Sequence, residues 1–230
     1  MKIIYILILS LVLPAAGYAD IEPDLVYWNS EQGKILRTRI AADADYWQLS
    51  PGFTTQNTQT YCSVASAVTV LNGLNTSKPV DPAYAPYPYF TQNNFFTPEV
   101  TTIITPQTVL AMGMTRDQMA ATLASHGAKV QSLPGDQFSV DELRGLLQKT
   151  LLEEGHYVLA NYLRASLGQQ GGGHWSVLAA MDSASDRVLI LDVAKYKYPP
   201  VWVTVSALQR AIATVDRVSH KARGLVLVAE

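Results

Sequence analysis

The hydrophobic period of this chain changes at Gly155, and that change limits the folds open to it. Upstream, "VDELRGLLQKTLLEEG" (140–155) repeats its apolar residues at helical spacing. Ser139 stands at the N-cap and Glu142 at the capping-box position, with Gly155 as the stop. Downstream, "HYVLANYL" (156–163), "HWSVLAAM" (174–181), "RVLILDV" (187–193) and "GLVLVAE" (224–230) read as strands, with "VWVTV" (201–205) a shorter one. One more helix, "VSALQRAIATV", lies between the last two. A helical first half followed by an antiparallel sheet half is an α+β organisation.

Within the first half, Val64, Ala67, Val68 and Leu71 follow the i, i+3, i+4, i+7 rule. This predicts a helix that begins at or just before Cys62, with Gly73 and Asn75 as stop signals. Residues 78–106 read as a long aromatic loop with some short helix. Residues 106–127 read as helical, with Thr115 as an N-cap, and residues 20–50 as an irregular N-terminal arm.

The chain opens MKIIYILILSLVLPAAGYAD: a lysine, an apolar run and small residues before Ala19. This is the pattern of a secretory signal peptide over residues 1–19, cleaved after Ala19, with an uncleaved anchor as the alternative. The expected location is periplasmic or secreted. About 210 residues remain, enough for one sizeable domain. The formal charge is −2 with both signs scattered, so no basic stripe points to nucleic acid. No later segment reaches transmembrane length. The single cysteine and four histidines show no C-x-x-C or H-x-x-x-H spacing, which argues against structural zinc.

An exported chain with one cysteine calls for an explanation, either inert burial, intermolecular pairing or chemistry. At a helix N-terminus, the dipole and unpaired N–H groups stabilise a thiolate at Cys62. His174 follows a glycine run, "GQQGGGHWSVL", that leaves the backbone open to a ligand. Asp192 ends an apolar strand, where a carboxylate needs a partner. Folding the hairpin about Ser183–Ala184 brings Asp192 opposite residues 174–176, and cross-strand neighbours lie about 5 Å apart. In the right register Asp192 orients His174, as the acid of a nucleophile–base–acid triad does. Gln56, six residues before Cys62, can donate its side-chain amide to an oxyanion, with the Cys62 backbone N–H as a second donor. Taken singly, each of these residues also has a purely structural reading.

Together, "TQNTQTYCSVASAVTVLNGL", "TQNNFF", "GHYVLANYLR", "GGGHWSVLAAM", "LDVAKYKYPPVWV" and "RGLVLV" resemble the phytochelatin synthase family, papain-like enzymes acting on glutathione. The likeness is to the short prokaryotic form and covers most of residues 50–230. "LDVAKYKYPPVWV" is its most family-specific part, since catalytic geometry alone does not require it. Ser63 and Val201 stand where many or plant members have glycine and histidine.

The resemblance implies a papain-like catalytic domain over residues 20–230, with Cys62 on a helical lobe and His174 and Asp192 on a sheet lobe. It implies Cys62 as nucleophile, His174 as base, Asp192 as orienting acid and Gln56 as oxyanion donor. It further implies that Asn161, Asp216 and Arg223 hold the γ-glutamylcysteinyl group. An Asp and an Arg complement an α-amino and an α-carboxylate group. The implied activity is glutathione γ-glutamylcysteinyltransfer through a Cys62 thioester, ending in hydrolysis or transfer to a second glutathione. No resident cofactor is implied; Cd or Zn enters as a thiolate complex of the substrate, in keeping with metal detoxification. A homodimer is one assembly left open. The alternatives are a papain-like leader peptidase and a non-catalytic exported module binding thiols or metal.

Overall fold

The computed structural model describes residues 24–230. The signal segment 1–19 and its cleavage point lie outside the described residues. In chain order the elements are β1 (Leu25–Tyr27), α1 (Glu31–Arg37), α2 (Tyr46–Leu49), α3 (Cys62–Gly73), α4 (Pro98–Ile103), α5 (Pro106–Met112), α6 (Arg116–Ser125), β2 (Lys129–Pro134), α7 (Val140–Thr150), β3 (His156–Leu163), β4 (Gly173–Asp182), β5 (Arg187–Leu191), β6 (Val201–Thr204), α8 (Val205–Ile212) and β7 (Gly224–Ala229). Helix and antiparallel sheet combine in an α+β fold, as expected.

The strands form one seven-stranded sheet in the order β1-β6-β5-β4-β3-β7-β2. Every pairing is antiparallel. Alternate residues of β3 enter different apolar clusters, because side chains alternate across a strand. Tyr157 and Leu159 pack with α3 and α6 residues such as Val64, Leu71 and Leu123. Val158, Ala160 and Tyr162 pack with Leu143 and Leu147 of α7 and Leu208 and Ile212 of α8. The sheet therefore separates two cores.

Helix α3 is buried from Cys62 to Leu71. The run is apolar apart from the small buried Ser63, Ser66 and Thr69, and a helix with no polar face belongs in a core rather than at a surface. Burying each Val or Leu of this run contributes about 1.5–3 kcal/mol. The phenol of Tyr157 donates to the Gly73 carbonyl at 2.9 Å, and a Cβ at Gly73 would lie 2.9 Å from that ring. The helix can pack this closely on β3 only because residue 73 has no side chain.

The capping expectations hold at two helices. Thr115 caps α6 with Gln118 in a capping box, and Ser139 caps α7 with Glu142. The region 106–127 is two helices, however, broken at Gly113, whose φ is +73°. Helix α7 ends at Thr150, and Gly155, with φ +72°, serves the turn into β3 instead.

The division into a helical half and a sheet half needs correction. β2 lies in the first half and pairs with β7, and β1 pairs with β6. Both are edge strands. β1 is three residues long, too short to display a period, and β2 reads "KVQSLP", with the lysine and proline that edges tolerate. Residues 20–50 are likewise not wholly irregular. Ser30 caps α1 by accepting from Gly33 N at 3.0 Å. Only Gly33 and Leu36 of α1 are buried, which leaves no stripe to read.

Candidate active site

Three connections bring the site together. Cys62 opens α3, His174 is the second residue of β4, and Asp192 directly follows β5. The hairpin register pairs Val177 with Leu191, so residue 192 falls beside Ser176 and one pleat from His174. The expected cross-strand approach follows, and His174 Nε2 lies 2.9 Å from Asp192 Oδ1. With Nε2 on the carboxylate, Nδ1 is the ring nitrogen left for the hydrogen bond to Cys62.

All three side chains are buried: Cys62 is 7% exposed, His174 5% and Asp192 0%. Burial pushes the Cys62 thiol up. The charge and hydrogen bond of His174, with the backbone N–H groups of Trp175 and Ser63, outweigh it and bring the thiol below its ordinary value. Burial likewise opposes a charged His174. The Cys62 charge and the bonds to Asp192 and Cys62 outweigh that and raise its pKa. Opposite shifts on two touching groups favour a thiolate–imidazolium pair.

Burial also acts against the Asp192 charge, yet His174 and Arg164 hold its carboxyl well below the usual range. Arg164 follows β3, is 3% exposed, and donates through Nη2 to Asp192 Oδ1 at 2.8 Å. Its Nη1 lies 2.8 Å from Oδ2 in the same ion pair and donates to Gln169 Oε1 at 2.6 Å. The Ala194 N–H adds a further bond to Oδ1 at 2.9 Å. The guanidinium also lies 5.1 Å from the centre of the Tyr198 ring. Arg164 carries no role in the sequence reading. Its one signal there is an arginine just past a strand whose six central residues are all buried.

Cys62 and His174 line a cavity of about 550 Å³ together with Asn161, Gly171, Gly172, Gly173, Asp216 and Arg223. The residues expected to hold a substrate are thus beside the thiol. Arg223 Nη1 donates to Asn161 Oδ1 at 2.7 Å, and Nη2 lies 3.4 Å from Asp216 Oδ1. The side chains of Asn161, Asp216 and Arg223 are all nearly buried, so the cavity holds a buried negative and a buried positive charge, with the exposed Arg217 also on its wall. That pair can receive a zwitterionic α-amino acid end. Among the described residues, no group of three or more His, Cys, Asp or Glu side chains is placed to hold a metal ion. No helix among them is long and apolar enough to cross a membrane.

Gln56 stands apart from this cavity lining. It is 4% exposed, and its backbone N–H is held by the Val193 carbonyl at 2.9 Å, next to Asp192. Its Nε2 donates both to Thr58 O and to Tyr196 Oη, each at 2.8 Å. Neither amide hydrogen is therefore free in the resting structure, and Oε1 is buried without a partner.

Comparison with known proteins places the chain in a family. The family model described as phytochelatin synthase matches residues 18–225. The chain is 27% identical over 212 residues to glutathione gamma-glutamylcysteinyltransferase 1 of Arabidopsis thaliana, covering 90% of this chain and 42% of that protein. It is 29% identical over 215 residues to the Triticum aestivum protein of the same name, covering 94% and 40%. A Schizosaccharomyces pombe glutathione gamma-glutamylcysteinyltransferase is 25% identical over 207 residues, covering 87% and 48%. The chain thus spans less than half the length of these curated relatives. The family match spans every residue named in this site, and the chain belongs to the phytochelatin synthase family.

Proposed function

We propose that this protein is a glutathione γ-glutamylcysteinyltransferase with a papain-like nucleophile–base–acid arrangement. The observation that carries the reading is the shared cavity. A buried Cys62–His174–Asp192 line opens into the same space as the Asp216–Arg223 pair. One end fits acyl transfer, and the other fits a free α-amino acid end, which a γ-glutamyl group carries and a peptide interior lacks.

In this mechanism Arg223 takes the α-carboxylate of the γ-glutamyl end and Asp216 its α-ammonium, with Asn161 beside them. The Cys62 thiolate attacks the Cys–Gly carbonyl carbon. The carbonyl oxygen gains the charge, stabilised by Gln56 and by N–H groups at the start of α3. His174, kept in one orientation by Asp192, gives its proton to the glycine nitrogen as the C–N bond breaks. Glycine leaves, and a γ-glutamylcysteinyl thioester stays on Cys62. His174 then takes a proton from the acceptor, which is water or a second glutathione. The products are γ-glutamylcysteine or a phytochelatin, with the thiolate restored. Cd or Zn takes part as a thiolate complex of glutathione, and the leader at residues 1–19 directs the protein to the periplasm or beyond.

Mass spectrometry of the protein after exposure to glutathione tests this. A γ-glutamylcysteinyl adduct on Cys62, free glycine in the medium, and neither in Cys62→Ala are the expected results. A folded protein with an alkylatable Cys62 that releases no glycine overturns the reading.

A further inference from the structure

Residues 192–198, "DVAKYKY", touch several parts of the site at once. Asp192 orients His174. Lys195 Nζ donates to Phe53 O at 2.6 Å and lies 3.8 Å from the Phe53 ring centre. Lys197 Nζ donates to Gln170 O at 2.7 Å, and Tyr198 Oη accepts from Gln170 N at 2.9 Å. The segment thus ties the loop before Cys62 to the loop before His174. Between these ties, Tyr196 Oη accepts from Gln56 Nε2 at 2.8 Å.

A glutamine amide has two hydrogens to donate. Here one goes to Thr58 O and one to Tyr196 Oη. An oxyanion donor must release one of them. The Thr58 carbonyl is backbone, fixed in a turn where it also accepts from Tyr61 N at 3.2 Å. Tyr196 is 59% exposed, and its phenol can pass to water at little cost. The hydrogen on Tyr196 is therefore the one that can move.

We propose that Tyr196 is a positioning residue that latches the Gln56 amide in the resting protein and yields its hydrogen to the acyl oxygen as the thioester forms. The inference rests on the reading of Gln56 as oxyanion donor. An N–H bond to an oxyanion is roughly twice as strong as one to a neutral acceptor, which drives the exchange. The bond that is given up subtracts from the net gain. Tyr196→Phe removes the competing oxygen and leaves the ring.

The test measures single-turnover acylation of Cys62 by saturating glutathione in wild type, Tyr196→Phe, Gln56→Ala and the double variant. Iodoacetamide alkylation of Cys62 monitors the thiolate independently. Tyr196→Phe is expected to acylate about 2–10-fold faster, the worth of one neutral hydrogen bond, with unchanged alkylation. In the Gln56→Ala background the same substitution is expected to change nothing. A rate equal to or below wild type overturns the latch, as does the same acceleration without Gln56. If wild type itself shows no acylation while iodoacetamide still reacts, the glutathione reading fails and takes this proposal with it.

Discussion

Gly173 fixes the position of Arg223, and Gly173→Ala is the sharpest test of the substrate end of the cavity. A Cβ built at residue 173 would lie 2.3 Å from Arg223 Nη1 and 2.7 Å from Cζ and Nη2. An ordinary contact requires the guanidinium to retreat by roughly 1 Å. The group that moves is the far end of a flexible side chain and residue 173 is exposed, so the fold survives the change. The retreat stretches the 2.7 Å bond to Asn161 Oδ1 out of hydrogen-bonding range. It also moves the cation away from where a substrate carboxylate would sit. Losing one charge-assisted bond costs about 1.5–3 kcal/mol, or roughly 10–150-fold in kcat/KM. A grip made equally in ground and transition states appears in KM, so the loss should fall there and leave kcat close to wild type. Steady-state glycine release against glutathione concentration measures the split. The pH profile of Cys62 alkylation tests whether the neighbouring His174 is disturbed. A KM within twofold of wild type refutes the argument, and a shifted alkylation profile assigns the damage to His174 instead.

Three further outcomes follow from the charges. Alkylation of Cys62 should titrate below the ordinary cysteine value of about 8.5, and His174→Ala should move it upward, since the His174 charge and hydrogen bond lower the thiol pKa. Asp192→Ala leaves Arg164 buried and unpaired and should cost about 3–5 kcal/mol in urea unfolding. Because the folded Asp192 pKa is depressed, its stabilisation is present above the unfolded value of about 3.9 and is lost as pH falls toward the folded one. Asp45 behaves in the opposite sense, since burial pushes its carboxyl up to about 9. Between pH of about 4 and about 9 the unfolded state binds fewer protons than the native one, so stability falls as pH rises. Asp45→Asn should flatten that slope and raise the melting temperature at pH 8, and a slope unchanged from wild type refutes it.

The parts legible in the sequence are those set by local rules. The start of α3 at Cys62, the N-cap at Thr115, the capping box at Ser139, and the strands of the sheet centre are specified within a few residues of themselves. The β4–β5 turn is local too and brings Asp192 near His174, while a register shift between Leu178 and Ala180 sets the face on which it lands. The edge strands β1 and β2 escape because their pairing partners lie far along the chain and their own residues are too few or too polar to show a period.

The site divides in the same way. Cys62, His174 and Asp192, the proposed nucleophile, base and acid, stand out through a helix start, a glycine run and a carboxylate ending an apolar strand. The groups that govern them act across folded distance. Arg164 is 28 residues from Asp192, and Tyr196 is 140 from Gln56. A hydrogen bond between positions so far apart leaves no period and no motif spacing. It does leave the unexplained segment "LDVAKYKYPPVWV", which triad geometry alone does not require. The structure supplies a use for four successive side chains of it. Lys195 and Lys197 fasten the loops on either side, Tyr198 lies beneath Arg164, and Tyr196 holds the Gln56 amide. Beyond Asp192, these side chains act through their neighbours rather than on the thiol, and such residues leave no catalytic motif in a sequence. In the proposed latch, the Gln56 amide is held by a residue 134 positions beyond Cys62, a relation no local sequence rule can display.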